Sequence, residues 1–154
     1  MTKTLSSAGL ARIQRYEACS LVIYDDQAGL PTIGWGHLIK KGEDFSAGIS
    51  EDRALDLFIE DLKSTIEGVN ACLEVEVTQN AFDALTSLAF NIGVGALRKS
   101  TALRCVNSGD LAGAAKAFLL WNKVRDPKTG KLVVSNGLTK RRESEAAVLL
   151  EPDP

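Results

Sequence analysis

The sequence predicts an α+β fold, mainly helical, in which a small β-hairpin lobe and a larger helical lobe are joined by a long helix. Three observations predict it. Residues 21–39 are rich in β-formers and broken by a turn. Residues 51–73 carry apolar side chains at three- and four-residue spacing. Beyond Thr78 the chain reads as a succession of capped helices, each opening on Ser, Thr or Asp.

The elements follow in order. Ser6 or Ser7 caps a first helix with Leu10, Ile13 and Tyr16 at helical spacing, and Glu17 stands at its end. Leu21-Val22-Ile23-Tyr24 is a strand, Gln27-Ala28-Gly29 a turn, and Thr32-Ile33-Gly34-Trp35 a second short strand. Ser50 caps the long helix, with Glu51 and Asp52 in the first turn, where negative charge suits the helix dipole. Its apolar positions are Leu55, Phe58, Ile59, Leu62, Ile66, Val69 and Leu73. Thr78 caps a helix carrying Phe82, Leu85, Leu88, Ala89 and Ile92, which Gly93 and Gly95 are expected to stop. Ser100 and Asp110 are caps for two shorter helices, the second ending at Trp121. Residues 125–137 read as a polar loop, and a last helix runs from about Thr139 to Leu150. One domain, 1–154, is expected. It divides into a hairpin lobe at about 18–50, a connecting helix at 51–73, and a helical lobe at 74–154, with helix 5–17 packing on the last.

Composition narrows the class. At 154 residues the chain suffices for one real core and not for two. No apolar run approaches the roughly 18 residues of a membrane span, and the start has no apolar core like a signal peptide's. Three widely spaced cysteines, Cys19, Cys72 and Cys105, fit neither a disulfide framework nor a metal site, and read as free, mostly buried thiols. No metal or other cofactor is indicated. The net charge of −2 hides an asymmetry: residues 93–142 hold eleven basic side chains against Asp110 and Asp126, a net of +9. A polyanionic partner would suit that half, either nucleic acid or the acidic peptides of a cell-wall polymer. Solvated helix faces are the plainer reading.

The chemistry concentrates in EACSLVIYDDQAGLPTIGWGH, residues 17–37. Glu17, Asp26 and Thr32 supply an acid, a carboxylate and a hydroxyl able to hold a water, the parts needed to hydrolyse a glycosidic bond. Glu17 suits the general acid, which must carry a proton near neutral pH, as a partly apolar cleft favours. Asp26 would stay ionised, oppose charge developing on the sugar and activate water; adjacent Asp25 is its rival. Gly34 and Gly36 allow close backbone approach. Trp35 is expected to pack in the small lobe, with contact to substrate as the alternative.

Glu17, Asp26 after eight residues, Thr32 after five more, then Ile33-Gly34-Trp35-Gly36-His37 resembles the signature of the phage-type lysozymes, the endolysins of glycoside hydrolase family 24. Ordered later blocks match as well: Phe90-Asn91-Ile92-Gly93 with Gly95, Ser100-Thr101, Asn107-Ser108-Gly109-Asp110, Trp121, Gly137-Leu138 and Arg141-Arg142. The resemblance spans about residues 10–150. Ala18, where the family usually has Gly, and Cys19 depart from it, and neither removes a catalytic group.

The resemblance implies a lysozyme-like fold and hydrolysis of the β-1,4 bond between N-acetylmuramic acid and N-acetylglucosamine in peptidoglycan, lysing the bacterial host, with inversion at the anomeric carbon. It implies that His37 pairs with Asp61 and ties the hairpin lobe to the long helix. It places Asn91, Ser100 and Thr101 on the cleft wall as substrate contacts. Arg141 or Arg142 is expected to reach the cleft or to pair with Glu145, with an exposed helix face as the equal alternative. A monomer is expected, made in the host cytoplasm without membrane insertion or nucleic-acid binding. It would act on periplasmic peptidoglycan once a holin has opened the membrane. The alternative is a catalytically inactive glycan-binding module.

Overall fold

The computed structural model describes residues 2–154. Helix α1, Ser7–Tyr16, opens on Ser6, whose hydroxyl accepts the Gly9 N–H. The chain then forms β1 (Ser20–Asp25), β2 (Pro31–Gly34) and β3 (His37–Leu38), an antiparallel sheet in the order β1-β2-β3. The expected hairpin thus gains a third strand. Gly34 and Gly36, at φ 67° and 85°, turn the chain sharply from β2 into β3.

Helix α2, Glu51–Cys72, opens on Ser50, whose hydroxyl accepts the Arg53 N–H. Its 22 residues span about 33 Å. The N-terminal half packs on the sheet, where the Trp35 and Phe58 rings lie 5.9 Å apart. Its C-terminal half enters the helical core at Val69. The buried positions are Ala54, Leu57, Phe58, Leu62, Thr65 and Val69. Leu55 and Ile59, expected inside, are exposed. A helix turns about 100° per residue, so Ala54 and Thr65 carry the inward stripe and their larger apolar neighbours fall beside it.

The helical lobe is built around α3, Gln79–Ile92, whose residues Ala81–Ala89 are all buried. Thr78 caps it, and Gly93, at φ 94°, ends it. Gly95 does not stop a helix; it lies within a short new one, α4 (Val94–Arg98). Then follow α5 (Thr101–Asn107), α6 (Leu111–Phe118) and α7 (Asn136–Leu150). Phe82, Leu85, Leu88, Phe118 and Leu149 close the core at 0–1% exposure. Each such burial stabilises by about 1.5–3 kcal/mol. Helix α1 docks on α3: Ser6 donates through its hydroxyl to Asp83 and through its N–H at 3.1 Å.

The stretch expected as a polar loop at 125–137 is a second β-hairpin. Strand β4 (Lys123–Arg125) pairs antiparallel with β5 (Leu132–Val134), and Lys123 faces Val134. Both strands are largely exposed, so no in–out alternation marks them in the sequence. The last helix begins earlier than expected, on a Ser135 cap. Cys72 and Cys105 are half-buried free thiols, whereas Cys19 is exposed, contrary to the reading of buried thiols.

Candidate active site

A groove of about 680 Å³ runs between the two lobes. The hairpin lobe contributes Tyr24, Asp25, Asp26, Thr32 and Gly36; the helical side contributes Glu17, Asn91, Lys123, Arg125 and Arg141.

Glu17 is the first extended residue after α1, at φ −103° and ψ 131°, and its N–H still donates to the helix. Its carboxylate therefore projects from the helix end, where the chain leaves for the sheet. Oε1 accepts from Arg141 Nη1 at 3.0 Å. Oε2 lies against Gly36, where an added Cβ would sit 2.9 Å away. Gly36 is thus required twice, by its left-handed backbone and by the carboxylate occupying its side-chain space.

Arg141 is 7% exposed and shares its donors widely. Nε donates to Glu145 at 3.1 Å and Nη2 to the Ser87 carbonyl at 3.1 Å. Its guanidinium carbon lies 4.6 Å from the centre of the Tyr16 ring, a cation–π contact. The sequence left Arg141 to reach the cleft, to pair with Glu145 or to lie on an exposed helix face; it is buried and does the first two. Arg142, fully buried, donates to Glu145, to the Trp121 carbonyl at 2.8 Å and to Asn91. Burial lowers the Arg142 pKa, and Glu145 opposes that shift. Ser87 donates its hydroxyl to the same carboxylate. Two arginines, one glutamate and several acceptors thus form a paired buried network, which burial makes costly to break.

Asp26 follows directly on the first hairpin strand, in the turn. Its Oδ1 accepts the Ala28 N–H at 2.8 Å and the Leu30 N–H at 2.9 Å, so the turn fixes the carboxylate. Thr32 is 2% exposed, faces Tyr24 across the strands, and donates its hydroxyl to the Leu30 carbonyl at 2.9 Å. The Tyr24 phenol is pushed up by burial, then by the charges of Glu17 and Asp26. It stays neutral among these acids. Asp25 also borders the groove and is exposed.

His37 is 4% exposed. Nδ1 lies 2.8 Å from Asp61 on α2, and Nε2 lies 3.0 Å from Glu43 in the loop before it. Burial disfavours the charged ring, but the hydrogen bonds to both carboxylates outweigh it and hold His37 above its ordinary value. Burial likewise tends to raise the Glu43 pKa. Hydrogen bonds from the Lys40 backbone and from His37 overcome that and bring it below the ordinary carboxylate value. Glu43 was not foreseen, and its six-residue spacing from His37 on a polar loop offered no signal.

Of the three expected substrate contacts, Asn91 alone lines the groove. Ser100 is a correction: it is buried, donates to the Leu97 carbonyl at 2.7 Å and accepts the Leu103 N–H as the cap of α5. Thr101 is another, for its hydroxyl accepts from Arg104 on the outer face of α5. At Ser100 the local capping role consumed the hydroxyl that the resemblance had assigned to sugar.

An interlobe groove with carboxylates on both walls is the arrangement that a glycan-cleaving hydrolase of the lysozyme class requires. Comparison with known proteins agrees. The family model described as phage lysozyme matches residues 14–145. The endolysin of Salmonella phage P22 is 39% identical over 95% of this chain and 97% of its own length. The endolysin of Bacillus phage B103 is 40% identical over 95% of this chain, which spans 54% of that longer protein. Among solved structures, the muramidase domain of SpmX from Asticaccaulis excentricus superposes with a TM-score of 0.84 at 34% identity, covering 99% of this chain and 100% of that one. The chain belongs to the phage lysozyme family.

Proposed function

We propose that this protein is an endolysin muramidase that cleaves the β-1,4 bond after N-acetylmuramic acid in peptidoglycan. The observation that carries the reading is that Glu17, Asp26 and Thr32, each fifteen residues or fewer apart in the chain, border one groove.

Glycosidic oxygen leaves only if it is protonated as the bond breaks, and Glu17 is the donor. Arg141 occupies Oε1, so Oε2 beside Gly36 carries the proton. Asp26 and Thr32 hold the attacking water. The Thr32 hydroxyl already spends its proton on the Leu30 carbonyl, so towards a water it acts as acceptor. The second Asp26 oxygen, with no hydrogen bond among the described residues, is a further acceptor. A water giving one proton to each presents a lone pair to the anomeric carbon. Asp26 takes a proton from it as attack proceeds. This is single displacement with inversion; inverting glycosidases as a class hold their two carboxyls roughly 6.5–9.5 Å apart to admit that water. Asn91, oriented by Arg142, offers its amide to the sugar.

Digestion of purified wall tests the reading. Reducing muramic acid ends, each one water heavier than an anhydro end, are expected by mass spectrometry. The α-anomer is expected as first product by NMR. Reducing glucosamine ends or cut peptides would refute the bond assignment; β-anomer would refute the inversion alone. Release to the wall through a holin-made lesion belongs to the same proposal, and lysis of cells expressing the chain without a holin would remove it.

A further inference from the structure

The basic half of the chain is unevenly used. Of the eleven cations in residues 93–142, Arg141 and Arg142 are buried in the ion network; the other nine are exposed and form no ion pair among the described residues. Seven of those nine lie away from the groove, and two border it: Lys123 and Arg125 on β4. Strand periodicity sets these two on the same side of the strand. The Lys123 amine has no partner among the described residues. Arg125 is steadied by one bond to the Gly130 carbonyl, which holds the hairpin turn and leaves its remaining N–H donors free.

The groove is therefore polarised. Asp25 and Asp26 stand on the sheet wall and Lys123 and Arg125 on the hairpin wall, while the charge of Arg141 is matched by Glu17 and Glu145. Hydroxyls and acetamido groups of sugar need no cation pair. A carboxylate does, and near Asp25 and Asp26 it would be repelled.

We propose that Lys123 and Arg125 bind the carboxylates of the peptide borne by the muramic acid unit. They would then set which sugar of the alternating chain enters the position beside the β4–β5 hairpin. This inference rests on the peptidoglycan reading above, and deepens it. Because only alternate sugars carry a peptide, a peptide-binding wall imposes a two-sugar register, which a carboxylate pair acting on any β-1,4 bond would not.

Binding separates the inference from catalysis. Calorimetric titration is done with a disaccharide bearing its tetrapeptide and with the same disaccharide lacking it. The intact protein is expected to bind the peptide-bearing form at least tenfold more tightly, with the gap shrinking as salt is raised. In Lys123→Gln/Arg125→Gln the gap is expected to fall below twofold, with affinity for the bare disaccharide unchanged. Both side chains are exposed, so the core is untouched. The control Arg98→Gln/Lys99→Gln removes equal charge away from the groove and should preserve the gap. The inference is overturned by no gap in the intact protein, by a gap that survives the double substitution, or by equal loss in the control. Tight binding of the tetrapeptide form by a protein that cuts no wall would keep this inference and sink the muramidase reading.

Discussion

Arg141 Nη1 lies 3.0 Å from Glu17 Oε1 while Arg141 Nε lies 3.1 Å from Glu145. The buried charge network of α7 thus ends on the groove carboxylate, across 124 residues of chain. One guanidinium fork orients Glu17 and is itself held by Glu145, the Ser87 carbonyl and the Tyr16 ring.

Arg141→Lys should therefore lower kcat by about tenfold or more with little change in KM, since a point charge cannot serve three acceptors in one plane. Arg141→Ala should also destabilise the fold by about 3–5 kcal/mol, because Glu145 would be left buried without one of its partners. Steady-state kinetics and urea unfolding measure the two effects. A Lys variant with the original kcat would end the positioning role.

Glu17→Gln is expected to cost about 10²–10⁴-fold in wall hydrolysis. The amide oxygen still accepts from Arg141, so the unfolding midpoint should hardly move. A turbidity assay decides; more than half the original activity in a folded Gln variant would remove Glu17 as the acid.

Asp26→Asn should be nearly as damaging, at about 10²-fold or more, since the amide cannot take a proton from water. Asp25→Asn should change activity less than threefold. Both residues border the groove, but the Ala28 and Leu30 N–H groups fix Asp26 alone. Equal losses at the two positions would show that the water is held differently.

Stability should depend on pH through His37 and Glu43. The folded pKa of His37 is raised, so its contribution is complete below the ordinary His value and is lost as pH rises through the raised one. The folded pKa of Glu43 is lowered, so its contribution is complete above the ordinary Glu value and is lost as pH falls through the lowered one. With ordinary values of about 4.3 and 6.5, both are in place near pH 5–6. His37→Asn should thus cost more stability at pH 5.5 than at pH 8.5. Denaturant unfolding at the two pH values showing the same loss would exclude the charged ring.

The features legible from sequence are those made between near neighbours. A cap needs a hydroxyl or carboxylate three residues before an N–H, so Ser6, Ser50, Thr78, Ser100 and Asp110 could be found without coordinates. Glu17, Asp26 and Thr32 lie within one turn-linked stretch, where spacing along the chain nearly determines spacing in space. The tertiary structure decided what distance along the chain conceals. It chose Arg141 for Glu17 and gave Arg142 to Asn91, since the packing of α7 on α3 brings those side chains together. It kept Ser100 for its helix and turned Leu55 and Ile59 outward, because the stripe that faces a partner depends on where the partner lies. It also made a strand pair of 123–134 at the groove's edge, with Lys123 and Arg125 on its first strand. Exposed strands bury too little to imprint a hydrophobic pattern, and only their docked position tells which cations border the groove.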